Sequence, residues 1–248
     1  MLTKKFNWKP LSKKWETLLF SDNFMIKDCM RDGNCQFYSI YNGLKNKVKL
    51  SNNKLRKLLS EYIIKISDSK FKSILQTYKI EQENGEFYGN WDPSNIKTKN
   101  QLAKEIRKSG FNFEGDYTTL SLLSLILKID FIIFNENNYT ITKIENEENL
   151  ELILLSFLKI SNTGHYQTIG LNIKDLKKNP ITIFNKNDLP KDLILIFNKN
   201  KFFTKHIKEI YNNFPNIKCN EIISKLSSFT LLSNSDMKII YRILAKLI

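Results

Sequence analysis

The sequence predicts an α+β domain built on one mostly antiparallel sheet flanked by helices. Two observations carry that reading. Apolar residues recur at helical spacing through most of the first half, and short apolar or alternating runs rich in Ile, Phe, Tyr and Thr fill much of the second. At 248 residues the chain is long enough to bury a substantial core. It shows no internal repeat and no Gly/Ser-rich linker.

Residues 1 to 19 are basic with apolar spots (Phe6, Trp8, Leu11, Trp15, Leu18, Leu19) and read as an N-terminal arm or short helix packed on the body. "DNFMIKDCM" is a short apolar lead-in to a polar turn at Asp32 and Gly33, and a helix is expected from about Cys35 to Lys45. A second helix begins at Ser51, an N-cap residue type, and carries Leu55, Leu58, Leu59, Tyr62, Ile63 and Ile66 at helical spacing. Residues 67 to 95 read as one or two short helices and a loop over 84 to 95 holding Trp91 and Asp92. "IKTKNQLAKEIRKSG" reads as a helix stopped by Gly110. A helix from Thr118 to Lys128 leads into a buried strand "IDFIIF", a turn "NENN" and the strands "YTITKI", "LELILLSFL" and "HYQTIG".

After "NIKDLKKNP" the pattern changes, which places a boundary near Pro180. "ITIFNKNDLPKDLILIFNKNKFF" is expected to hold a strand pair, and residues 205 to 248 two or three amphipathic helices.

The charge of +14 invites a nucleic-acid reading, but only four of the 39 basic residues are Arg (Arg31, Arg56, Arg107, Arg242), the type that reads phosphates and bases bidentately. The lysines are dispersed among Glu and Asn, so no dedicated nucleic-acid site is expected. No segment reaches the roughly 20 apolar residues of a membrane span; the longest run, "TLSLLSLIL", has core-helix length. The N-terminus lacks the apolar core of a secretory signal. Cys29, Cys35 and Cys219 form neither a disulfide framework nor a zinc-ligand spacing, which suits a reducing compartment.

Cys35 follows "RDGN" and opens an apolar-aromatic run, so its thiol is placed at a helix N-terminus. The positive end of the helix dipole is expected to lower its pKa there. Read blandly, it is one more buried small hydrophobe. A cysteine nucleophile needs a base, and the chain offers two histidines. His206 sits among charged residues at a helix start and reads as a surface residue. His165, in "NTGHYQT" between a turn and a strand, is either a catalytic imidazole or a structural one. Cys29 reads as inert, and Cys219 carries no motif.

"DGNCQFYSI" resembles the catalytic-cysteine signature of the ovarian-tumour (OTU) family of cysteine proteases. "GHYQTI" resembles that family's histidine motif, and "FEGDYTTLSLLSLILKIDFIIFN" its central segment. The three stand in the family's order and span residues 20 to 170. The resemblance implies an OTU-like, papain-like catalytic domain over 20–175; outside it, the residue pattern itself reads as an N-terminal arm over 1–19 and a largely helical extension over 176–248 without counterpart in the resemblance. It implies a cytoplasmic deubiquitinase that removes ubiquitin, polyubiquitin chains or a ubiquitin-like modifier from lysine side chains. Cys35 would be the nucleophile and His165 the base. Asp32 would be a third catalytic residue, matching the family's Asp three before the cysteine, in an oxyanion loop with Gly33 and Asn34, and no metal or organic cofactor is implied. Many family members carry Asp or Asn two residues after the histidine. Here Gln167 stands there as a candidate orienting residue, with Asp22, Asp28 and Asn162 as other candidates. Two rivals remain: an OTU-like ubiquitin-binding protein that cuts poorly, and a basic nucleic-acid-associated protein. The Lys/Asn-rich composition fits a virus or intracellular parasite acting in host cytoplasm.

Overall fold

The computed structural model describes residues 7–19, 21–44, 51–85, 87, 89–160, 163–172, 179–194, 207–208, 210–213, 217–227, 240 and 244. The expectations on Lys45, Asn162, His206 and residues 195 to 206 lie outside them. Contacts divide the chain into two compact units. One spans Met1–Leu11 and Asn23–Asp188; the other spans Ser12–Asp22 and Leu189–Ile248.

The first unit is α+β. Its seven-stranded sheet comprises β1 (Trp8–Pro10), β2 (Phe24–Lys27), β3 (Ile129–Asn135), β4 (Thr140–Ile144), β5 (Glu151–Ile160), β6 (Thr163–Leu171) and β7 (Ile183–Asn185). The order is β1-β2-β6-β5-β3-β4, and β7 also pairs with β5. Every named pairing is antiparallel except β3 with β5. That parallel pair arises because the β3–β4 hairpin folds back and the chain returns as β5 on the other side of β3. Six of the seven residues of β3 are buried, which is why "IDFIIF" reads as a continuous apolar run rather than an alternating one.

The helices are α2 (Cys35–Leu44), α3 (Asn52–Lys65), α4 (Asp68–Glu83), α5 (Lys99–Arg107) and α6 (Tyr117–Leu127). Ser51 caps α3 as expected, its side chain accepting from the Lys54 amide at 3.3 Å. Residues 68 to 83, expected to hold one or two short helices, form a single helix of 16 residues. Ser67 caps it, and Phe71, Ile74, Leu75 and Tyr78 fall at i, i+3, i+4 and i+7, one continuous buried stripe. Helix α5 ends at Arg107, three residues before Gly110, which opens a short 3-10 turn with φ +70°. Leu55, Leu59, Ile63, Leu102, Ile106, Leu120 and Leu123 of the helices share one core with Phe131, Ile133, Ile153 and Leu155 of the sheet.

In the second unit, α1 (Lys13–Leu19) precedes Ser21, whose hydroxyl donates to Asp192 at 2.6 Å. The expected second strand of a pair over 181–203 is not found where the chain is described: residues 191–194 are helical. Pro190 starts that turn, its carbonyl accepting from the amides of Leu193 and Ile194 at 2.9 and 3.0 Å. Farther on, α7 (Cys219–Ser227) packs Ile222 and Leu226 against Ile207, Ile210, Ile240 and Leu244.

Candidate active site

The turn between β2 and α2 carries the "DGNC" motif. Gly33 has φ +78°, and a Cβ there would lie 2.3 Å from the Gly110 carbonyl carbon. Only glycine fits both the left-handed backbone and the close approach. Asp32 braces the turn from within: Oδ1 accepts from the Asn34 amide at 3.0 Å and Oδ2 from the Tyr38 hydroxyl at 3.3 Å. The Asn34 carbonyl accepts from the Tyr38 amide at 3.0 Å, which makes Asn34 the N-cap of α2 and Cys35 its first residue.

Arg56 of α3 holds this turn from behind. It is only 2% exposed. Its guanidinium donates to Asn34 Oδ1 at 2.7 Å, to the Phe113 carbonyl at 2.9 Å and to the Ile106 carbonyl at 3.1 Å. It also lies over the Phe37 ring, 4.0 Å from the centroid. Asn34 Oδ1 accepts a second bond from the Gly110 amide at 3.0 Å. Loss of water pushes the Arg56 pKa down to about 10, with the Asp32 charge opposing, so the side chain stays cationic at neutral pH.

Cys35 is buried, and its thiol donates to the Gly164 carbonyl at 3.6 Å. Backbone amides of Tyr166 and Gln36 also face the sulfur. The expected fall in its pKa does not occur. Burial raises it, the Glu114 and Asp32 charges add to the rise, and the two amides only offset part of it. The helix dipole is the smaller effect because the sulfur has lost its water.

His165 sits on β6 opposite Leu158 of β5 and is buried. Its Nε2 donates to Asp28 Oδ1 at 2.7 Å, which leaves Nδ1 with the lone pair in the neutral ring. Register explains the meeting: β2 pairs with β6 with Lys27 opposite Thr168, so the next residue, Asp28, emerges beside Gln167 and His165. Asp28 also accepts from the Cys29 amide at 2.9 Å and from the Gln167 side chain. Burial works to raise its pKa, but these hydrogen bonds, His165 foremost, hold it below the usual carboxylate value. Gln167 thus touches Asp28, and Asp28 touches the imidazole.

Cys29 is the second buried thiol here, donating to the Tyr166 carbonyl at 3.2 Å with Ser39 Oγ at 3.8 Å. Burial pushes its pKa up to about 12. A cavity of ≈ 290 Å³ is lined by Trp91, Glu114, Gly115, Asp116, Gly164 and Tyr166 among others. Trp91 packs into an aromatic cluster, stacked on Phe113 at 5.9 Å and edge-on to Tyr78 and Phe87, so it is both core and cavity wall. Asp92 caps a 3-10 turn at Pro93–Asn95.

No family model matches the chain, and neither does any curated protein. Solved structures do. One is an OTU domain in complex with ubiquitin, at 17% identity over 71% of this chain and 83% of that one, TM-score 0.46. Others are the OTU deubiquitinase of Wolbachia pipientis wMel (12%, 70% and 96%, TM-score 0.40) and the viral OTU domain protease of Dera Ghazi Khan virus (14%, 69% and 98%, TM-score 0.43). The chain is similar to OTU domains.

Among the expected residues, Cys35, Asp32, Gly33 and Asn34 share one turn, and His165, Gln167 and Asp28 share one strand crossing. Arg56 was missed, although its signal was legible. Arg56, Leu59, Ser60 and Ile63 fall at i, i+3, i+4 and i+7, which puts one of four arginines on the buried stripe of α3. Glu114, which faces the Cys35 sulfur electrostatically, gave no signal beyond standing in the central segment.

Proposed function

We propose that this protein is a thiol-dependent isopeptidase that removes ubiquitin or a ubiquitin-like modifier from lysine side chains. One observation carries the reading. The thiol of "DGNC" is hydrogen-bonded to the residue immediately before the histidine of "GHYQ", and that histidine is gripped by a carboxylate. Two motifs 130 positions apart meet as nucleophile, base and orienting acid.

The chemistry follows from the protonation states. Cys35 rests as a thiol, so its proton passes to His165 Nδ1 as sulfur attacks the carbonyl of the modifier's terminal glycine. The oxyanion is met by amides at the start of α2, where Cys35's own N–H has no intrahelical acceptor. Asp28 stabilises the imidazolium through Nε2. The imidazolium protonates the leaving lysine amine, and the resulting Cys35 thioester is hydrolysed by water that gives its proton to His165. A slender Gly-Gly tail would approach through the cavity lined by Gly115 and by Gly164, whose carbonyl accepts from the Cys35 thiol, and Glu114 stands in its wall. Two free buried cysteines suit a reducing compartment such as the cytoplasm, a host's if the source is a virus or parasite.

The raised Cys35 pKa favours a second reading, a ubiquitin-binding relative that cuts slowly. Incubation with a panel of di-ubiquitins separates the two. Cleavage that is lost in Cys35→Ala and His165→Ala supports the hydrolase. Saturable ubiquitin binding without cleavage by the folded chain supports the binder and overturns the hydrolase.

A further inference from the structure

The chemistry above leaves Cys29 without a task, although it lies against the base. The donor atoms of Asp28, Cys29 and His165 all fall within 4.8 Å of one another. We propose that these three side chains form a binding site for a thiophilic divalent cation of the Zn²⁺ class, and that its occupancy switches the adjacent thiol chemistry off.

The donor set is one sulfur, one imidazole nitrogen and one carboxylate oxygen, a mixture that suits borderline-soft Zn²⁺ and discriminates against Mg²⁺ and Ca²⁺. Tetrahedral Zn²⁺ with bonds of about 2.0–2.3 Å needs its donors roughly 3.3–3.8 Å apart. The widest separation must therefore close by at most about an ångström, and the 2.7 Å His165–Asp28 contact must open by less. Rotation of side chains suffices, since the backbone already brings the three together. Cys29 and His165 are buried, while the Asp28 side chain is 38% exposed and offers the way in.

Binding forms a metal–sulfur bond and breaks the Cys29 S–H bond, and that proton leaves to solvent. His165 coordinates through Nε2, which shifts its ring proton to Nδ1. Asp28 exchanges the imidazole N–H for the metal, and water completes the shell. With Nδ1 protonated and Nε2 on the metal, the ring has no lone pair for the Cys35 proton.

Binding can be read without activity, so it stands or falls apart from the hydrolase reading; only inhibition rests on that reading. Co²⁺ is titrated into the full chain carrying Cys35→Ala and Cys219→Ala, which removes the two other thiols. The expected result is a thiolate-to-cobalt charge-transfer band saturating at one metal per chain. Adding Cys29→Ser, or Cys29→Ala if the first variant melts early, abolishes the band in a chain whose thermal melt shows it folded. A band that survives loss of Cys29, or a folded chain carrying only Cys35→Ala and Cys219→Ala that gives none, overturns the site. In the hydrolase assay, with each chain normalised to its own metal-free rate, the Zn²⁺ concentration for half-inhibition rises roughly tenfold or more in Cys29→Ser relative to wild type. An unchanged value overturns the proposed switch.

Discussion

The Cys35 side and the His165 side of this candidate site are held by different physics. Around Cys35 the restraints are buried and permanently charged or steric. Arg56 ties Asn34 to Ile106 and Phe113, and Gly33 sits where no Cβ fits. Around His165 the restraint is one half-exposed carboxylate at 2.7 Å, supported by the Cys29 amide and Gln167. The first is part of the core, so disturbing it should cost stability. The second can change protonation or partner while the core stays intact, so disturbing it should cost rate. One side fixes geometry, and the other can be tuned.

The sharpest way to break that contrast is at the two reacting groups. Cys35→Ala and His165→Ala should each lower hydrolysis by roughly 10⁴-fold or more, and the double variant should be no worse than either single, because the groups act as a unit. Single-turnover assays on the three variants check this. Next in size, Arg56→Met should destabilise the fold by about 3 kcal/mol or more. It takes the guanidinium donor from the Ile106 and Phe113 carbonyls and one of two donors from Asn34 Oδ1, and Arg56→Lys should recover only part because an ammonium cannot reach all three directions. Urea midpoints read the loss.

Asp28→Asn keeps a hydrogen-bonding group but removes the charge that stabilises imidazolium, so the rate should fall by roughly 10²-fold, with a loss of stability near neutrality smaller than that of Arg56→Met. The pH dependence has a defined sign. The folded-state pKa of Asp28 lies below its unfolded value, so its stabilising contribution is present above the unfolded carboxylate pKa. It is lost as pH falls through the folded value. Acid titration of stability should show wild type and Asp28→Asn converging at low pH and separating near neutrality. Gly33→Ala should cost about 1–3 kcal/mol of stability, from the positive φ and the contact with Gly110. The smallest effect belongs to Gln167→Leu, a fall of about threefold in rate, since it removes one amide donor from Asp28 while the bonds from His165 and the Cys29 amide remain.

The same contrast governs how much could be read beforehand. Elements with strong local signals were legible: the Ser51 cap, the apolar run of β3, the glycine turn before α2 and the hairpin at "NENN". The Cys35 and His165 motifs were legible because each is a short contiguous string. What sequence could not supply was register. Asp28 was one of several candidates until the β2–β6 pairing put Lys27 opposite Thr168. The Cys35 pKa ran opposite to expectation because the helix dipole is a local property, whereas desolvation depends on Glu114, Tyr166 and the whole surrounding core. Residues 191–194 form a helical turn where a strand was expected, because the apolar Leu193 and Ile194 suit either state when only apolar content is counted.

The central claim is that Cys35 is a nucleophile addressed by a ubiquitin tail. The most direct test mixes the full chain with ubiquitin bearing a C-terminal alkyne electrophile and reads the intact mass. The account predicts a covalent adduct of one ubiquitin that vanishes in Cys35→Ala and persists in Arg107→Lys as a surface control. A folded chain that forms no adduct, or one whose adduct survives Cys35→Ala, would contradict it.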